Sequence, residues 1–484
     1  MTVREYLLYL DGKWCTGEGG TMPATSPSSG ESFGSVSVAG PTDVDRAVQA
    51  ARAAAPGWGA MSPFERAARC EAVVAAIDSR REELAHGLSE DQGKPLVAEA
   101  YAEVDELRVY FQMAGEDAKR LEGSLPASTS PTARVLVQRV PLGVVGVVSP
   151  WNWPYTMGAE VFAPALAAGN AVVWVPAPTT AACSALLSEV IAEAGLPPGI
   201  FNFLPGPGAI VGDAVVAHSG VDAVGFVGSV ATGRKVAERA AGKTQILELG
   251  GNGPMVVLED ADLELATDAA LEAAYLCAGQ SCTAGERFLV HSAVRAEFVE
   301  RVAAATAERV CLGDPFDELT TMGPLNNEPT AAKFDAHIGD ARDRGAAIVC
   351  GGRRAAGFST QLFAEPTVLD GVTPEMLIAR EETFGPVVPV IEIGSMQDAL
   401  ELTNGSPFGL TAAVFTGDLE RGLAFAEAAR AGWVNVNAST NLWESHLPFG
   451  GRSGSVSGRG RVGGRSLIES FTEPKIIHFP APRT

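Results

Sequence analysis

The sequence predicts an α/β protein organised around a doubly wound parallel sheet, followed by a second α/β unit, and three observations predict it. Between 143 and 241 short apolar, often β-branched runs (143–148, 171–175, 200–204, 223–227) alternate with helix-like segments (181–194, 209–218, 233–241). Such alternation implies right-handed crossovers and a ligand site at the strand carboxyl ends. A second βα series begins after the Gly/Pro-dense turn at 249–254, with a strand at 255–258, a helix running through Cys277 and a strand at 288–291. Finally, 484 residues exceed one ordinary core, so two or three domains are expected.

The remaining elements follow in chain order. Short strand-like pieces occupy 6–14, and 42–55 carries apolar residues at helical spacing behind Thr42 as a cap. Ser62, Pro63 and Glu65 read as N-cap, N1 proline and N3 glutamate of a second helix, and amphipathic patterns continue to about Arg120. The chain turns polar and Pro/Ser-rich over 122–131, then 134–140 alternates as a half-exposed strand would, suited to an arm. The stretch 452–465, the most basic in the chain, reads as a solvated glycine-rich loop, and 475–479 as a terminal strand.

A formal net charge of -22 repels phosphate backbones and excludes a nucleic-acid groove. No uncharged apolar run approaches a membrane span, and the five-residue run 6–10 is too short for a signal peptide, which predicts a soluble, mature chain. The seven cysteines are scattered, with neither CxxC nor Cys/His metal spacing, which predicts a reducing, cytoplasmic setting and no metal.

Two stretches carry chemistry. In the segment 225–234, a buried strand turns at Gly228 and enters a helix, so backbone N–H groups and the Ser229 hydroxyl can meet a pyrophosphate. The glycines 206–212 miss dinucleotide spacing by one residue and read as a turn. In 278–287 a cysteine, Cys282, stands between Ser281 and Thr283 and between glycines, which leaves room for an electrophile. Taken alone it reads as a buried packing cysteine.

Six motifs together change that reading: Pro150-Trp151-Asn152-Trp153-Pro154, Gly228-Ser229 with Gly233, Glu248-Leu249-Gly250-Gly251, Gly279-Gln280-Ser281-Cys282, Glu382-Thr383-Phe384-Gly385-Pro386 and Pro448-Phe449-Gly450-Gly451. In order and spacing, over nearly the whole chain, they resemble the aldehyde dehydrogenase superfamily of the NAD(P)-dependent, hydrolytic type. The resemblance implies an aldehyde-dehydrogenase-like fold: a nucleotide-binding domain (1–121 with 142–250), a catalytic domain (251–453), and an oligomerisation arm and tail (122–141 with 465–484). It implies Cys282 as nucleophile, the Asn152 amide and Cys282 N–H as oxyanion hole, and Glu248 as base. Trp151, Val175, Pro178, Gly228, Ser229, Gly233, Leu249, Gly250, Glu382 and Phe384 would face the cofactor. Trp153, Tyr155, Met157, Glu160, Ser281, Thr283, Trp443, His446 and Phe449 would line the substrate tunnel. A homodimer or homotetramer is also implied.

The chain departs from the family pattern at Val175-Pro176-Ala177-Pro178, where a lysine and a glutamate usually hold the adenosine ribose. Loss of the carboxylate favours a 2′-phosphate and loss of the cation disfavours it, so NAD is expected with NADP as the alternative. Val161 stands where many relatives have a lysine near the proton path. Aromatic walls favour an apolar or aromatic aldehyde, while Glu160 leaves an amino-aldehyde open. Two other readings stand beside the hydrolytic enzyme: a relative that passes the acyl group to coenzyme A, and a non-catalytic binding protein on the same fold.

Overall fold

The structure, a computed structural model, describes residues 4–479. Its first part is helical: Pro41–Ala60, Pro63–Ser79, Arg81–Gln92 and Tyr101–Ala118. The second of these is capped as its spacing predicts, with Ser62 Oγ accepting the Glu65 N–H at 3.3 Å and the Glu65 carboxylate accepting the Ser62 N–H at 2.8 Å. Thr42 is not the cap of the first. That helix begins at Pro41 behind Gly40, and the Asp43 carboxylate instead accepts the N–H of Gly40 at 3.1 Å and of Glu18 at 2.9 Å. Pro41 lacks an N–H and has its φ preset, so the first turn suits it better than Thr42.

One sheet has eight strands in the order Gly458–Arg459, Thr244–Leu249, Ala223–Gly228, Val144–Val148, Ala171–Val175, Phe201–Phe203, Leu8–Leu10 and Lys13–Cys15. The strands from Thr244–Leu249 to Phe201–Phe203 are parallel, and the five-residue runs of valine in their middle are buried on both faces. The chain winds outward from Val144–Val148 in one direction, then returns to add Ala223–Gly228 on its other side. That switch point opens a crevice at the strand carboxyl ends. The glycine-rich 452–465 stretch is not wholly a solvated loop, because Gly458–Arg459 pairs antiparallel with Leu247 and Glu248. Gly458 sits at φ +131°, and a Cβ there would lie 2.2 Å from the Leu247 carbonyl, so only glycine lets the backbones meet.

The second sheet has seven strands in the order Ala347–Cys350, Thr367–Asp370, Val387–Ile393, Gly285–His291, Gly253–Val257, Thr411–Phe415 and Trp433–Val436, parallel except for the first. Each sheet has its own core. Trp58, Phe162, Trp174 and Phe203 belong to the first, and Phe288, Phe298 and Phe334 to the second. The arm Arg134–Pro141 and the tail Thr472–Phe479 pair with each other antiparallel along their full length, leaving Ile476 and Phe479 exposed. Helix Gly464–Ser470, just before the tail, buries Leu467 and Ile468 in the first core. Among the described residues no helix is long and apolar enough to cross a membrane.

Candidate active site

The crevice at the switch point is a cleft of about 300 Å³. Pro150, Trp151 and Asn152 enter it from the end of Val144–Val148, Val227, Gly228 and Ser229 from the end of Ala223–Gly228, and Glu248 and Gly250 from the end of Thr244–Leu249. The second sheet contributes Cys282, Glu382 and Phe384, and the helix Glu328–Asp343 contributes Lys333, the one cation in the wall among the described residues. A deeper chamber of about 120 Å³ is lined by Trp153, Glu160, Ser281, Thr283, Trp443 and Phe449, joined by Glu106, Leu276 and Asn441. Asn152, Met157, Glu248 and Cys282 line both cavities and so stand where they join.

The Cys282 loop is held by strain and by hydrogen bonds. Helix Leu263–Tyr275 ends in a tight turn in which Cys277, Ala278 and Gly279 all have left-handed φ (53°, 54° and 73°), costly for the two that carry a Cβ. At Gly279 a Cβ would lie 2.2 Å from the Gly385 carbonyl, and at Gly251 one would lie 2.0 Å from the Cys282 carbonyl. Both approaches need glycine. Ser281 Oγ and Thr283 Oγ1 lie 2.7 Å apart, and Thr283 Oγ1 donates to Asn441 Oδ1 at 2.6 Å. Gln280 ties the turn inward, its Nε2 donating to the Cys277 carbonyl at 2.7 Å and its Oε1 accepting the Asn326 N–H at 2.8 Å.

Asn152 is buried, and its Nδ2 donates to the Gln280 carbonyl at 2.9 Å. An amide nitrogen has two hydrogens, so one donor remains. The Cys282 N–H engages no acceptor among the described residues. The Glu248 carboxyl is buried, its Oε1 has no partner, and burial pushes its pKa up to about 8 while the neighbouring Cys282 thiol pulls it down. Burial raises the Cys282 thiol well above its usual value, with Glu248, Glu382 and Glu160 adding to the effect. A carboxyl of this kind can take and return a proton near neutral pH.

At the cleft's other wall the Glu286 carboxylate accepts the N–H groups of Thr383 and Phe384, each at 2.8 Å, and holds Phe384 at φ +61°. Its ring meets Trp151 edge-on, centroids 5.5 Å apart. The Glu382 carboxylate accepts the Gly251 N–H at 2.9 Å. Ser229 caps the helix Val230–Arg239 by accepting the Thr232 N–H at 3.3 Å.

Several expected residues lie elsewhere. Tyr155 is wholly buried in the first core, its hydroxyl donating to the Leu84 carbonyl at 3.0 Å, because it sits off the face that carries Trp153, Met157 and Glu160 at i, i+4 and i+7. His446 is exposed beside Glu444, outside the chamber. Val175 is wholly buried and Pro178 is exposed, and neither lines the cleft; nor do Gly233 and Leu249, which support it from beneath, a Cβ on Gly233 falling 2.3 Å from Leu249 Cδ2. Glu106, Asn441 and Lys333 carry no local motif and reach the cavities through tertiary packing alone.

A switch-point cleft ending on a cysteine, an amide and a carboxyl fits a dinucleotide-dependent oxidoreductase. The chain belongs to the aldehyde dehydrogenase family, whose model matches residues 14–477. It is 38% identical over 473 residues to a benzaldehyde dehydrogenase [NAD(+)] of Pseudomonas putida, covering 96% of this chain and 94% of that one. It is 38% identical over 479 residues to a betaine aldehyde dehydrogenase of Cereibacter sphaeroides, covering 97% and 96%. The structure of a betaine aldehyde dehydrogenase from Staphylococcus aureus in complex with NAD+ superposes with a TM-score of 0.94 at 33% identity, covering 98% of this chain and 94% of that one. The protein is an NAD(P)-dependent aldehyde dehydrogenase.

The residues present fit the dinucleotide. A capped helix N-terminus offers N–H groups to a pyrophosphate, a half-buried carboxylate at Glu382 offers acceptors to ribose hydroxyls, and Trp151 with Phe384 forms an aromatic wall for a flat ring.

Proposed function

We propose that the protein oxidises an aldehyde with an apolar or aromatic body to the carboxylic acid, through a thiohemiacetal and then a thioester on Cys282, with water as the final acceptor of the acyl group. The observation that carries this reading is the junction itself, since Asn152, Glu248 and Cys282 stand where the cofactor-sized cleft meets the inner chamber. Glu248 takes the thiol proton, and the sulfur adds to the carbonyl carbon. The free Asn152 N–H and the Cys282 N–H bind the oxyanion. NAD, when bound, accepts the hydride released as the carbonyl reforms. Glu248 passes the thiol proton on to solvent and, ionised again, takes a proton from water, which attacks the thioester; the acid leaves and Cys282 departs as thiolate, which Glu248 re-protonates.

The rings of Trp153, Trp443 and Phe449 support an apolar body for the substrate. Free thiols at all seven cysteines support a reducing compartment such as the cytoplasm. The exposed Ile476 and Phe479 on the arm-tail ribbon support a homodimer or homotetramer. The test is nucleotide reduction with a panel of aldehydes, NAD and NADP in parallel, beside Cys282→Ala. Acid formation that disappears in the variant is expected; full turnover by the variant would refute the mechanism.

A further inference from the structure

Among the described residues the wall of the inner chamber holds three carboxyl groups, Glu106, Glu160 and Glu248, and no lysine, arginine or histidine. Acyl transfer accounts for Glu248 and leaves the other two without a task. Glu160 is 1% exposed, and its Oε1 has no hydrogen-bond partner. Buried polar atoms are rarely left so, and one that lines a cavity is a natural receptor for a donor brought by a ligand. Glu106 receives only the Tyr110 hydroxyl, at 3.2 Å.

No protein cation compensates these groups from within the chamber. Lys94 lies against the Trp153 ring, its Nζ 3.7 Å from the centroid, but it is wholly buried and held by Glu103 at 2.5 Å. The rest of the wall presents π faces, with Trp443 and Phe449 centroids 5.0 Å apart. Carboxyls and aromatic faces without a cation make a site for an organic cation. A carboxylate-ended aldehyde brings a negative charge to a wall without a cation to receive it, and an uncharged one leaves Glu160 Oε1 unpaired. A quaternary ammonium satisfies charge but offers no N–H. A chamber of about 120 Å³ holds a chain of only a few carbons.

We propose that the substrate is a short aldehyde bearing an N–H ammonium group at its far end, received by Glu160 and Glu106 while the aromatic rings hold the chain between. This rests on the reading of Cys282-dependent aldehyde oxidation and puts a short chain ended by a cation in place of the apolar or aromatic body. The burial that raises both carboxyls, Glu106 to about 7, is relieved when the cation enters.

The test compares kcat/KM for 3-aminopropanal, butanal, betaine aldehyde and succinic semialdehyde in the wild type and in Glu160→Gln. The wild type should prefer 3-aminopropanal to butanal by about 10-fold or more, as one charge-assisted hydrogen bond suffices for that ratio. Glu160→Gln should reduce the ratio by a similar factor, mainly through KM. A wild-type preference for butanal or succinic semialdehyde, or for betaine aldehyde over 3-aminopropanal, would overturn the proposal. So would an equal loss on all four aldehydes in Glu160→Gln, which would assign the residue to proton transfer or folding. Thermal melting of the variant separates the last two. Wild-type inactivity on every aldehyde would instead count against the function on which the proposal rests.

Discussion

Replacing Glu248 by glutamine should change how stability depends on pH. In the folded protein burial raises this carboxyl from its usual 4.5 to about 8, whereas in the unfolded chain it titrates normally. Between those values the folded state keeps a proton that the unfolded state has lost, so stability falls as pH rises, by about 1.4 kcal/mol per pH unit. Below 4.5 both states are protonated and above about 8 both are ionised, so the contribution is flat at either end. Glutamine has the same shape and cannot titrate. From pH 5.5 to 7.5 the variant should therefore gain about 3 kcal/mol on the wild type. In a chain of this size that is a relative rise in melting temperature of about 3 °C. Melting curves of both proteins at half-unit steps of pH measure it directly. A difference that stays constant over the range would refute the burial argument, and one that shrinks would reverse its sign.

In the proposed mechanism the same carboxyl sets the rate of hydrolysis. With Glu248 as the base, kcat limited by deacylation should rise about tenfold per pH unit below 8 and level off above it, and a profile flat from pH 6 to 9 would assign the base elsewhere. Asn152→Ala removes one of two oxyanion donors and should lower kcat by about 10²–10³ with the fold intact, as checked by steady-state kinetics beside circular dichroism. Gly251→Ala places a Cβ 2.0 Å from the Cys282 carbonyl, so it should displace the nucleophile's loop and cost activity before it costs global stability; alkylation of Cys282 by iodoacetamide should change in rate.

The three side chains that meet where the cavities join were legible because each lies in a local pattern. Asn152 sits in a Pro-Trp-Asn-Trp-Pro turn, Glu248 at the end of an apolar strand, and Cys282 in a loop whose glycines advertise close backbone approach. The parallel sheet was legible for a similar reason, since strands buried on both faces read as continuous β-branched runs. What was not legible depends on phase or on distance. Tyr155 differs from Trp153 and Met157 by two positions, and on a helix that turns it into the first core. Glu106 comes from a helix whose charged residues read as ordinary surface until the fold brings it over the chamber. Lys333 belongs to a helix far along the chain, placed by packing alone. The glycine-rich 452–465 stretch carries no apolar alternation, so nothing local announces that Gly458–Arg459 pairs with the strand bearing Glu248.

That pairing bears on how the enzyme comes into being. Asn152, Glu248 and Cys282 have all left the ribosome long before Gly458, and at ordinary rates of synthesis the interval is on the order of ten to thirty seconds. Until Gly458–Arg459 arrives, Thr244–Leu249 is a bare sheet edge with the future base at its tip. The nascent chain thus carries its thiol through about a third of its translation before the strand that closes the edge beside Glu248 is made. A stop codon shortly before 458 would leave every reacting residue encoded and the active site still open at one side.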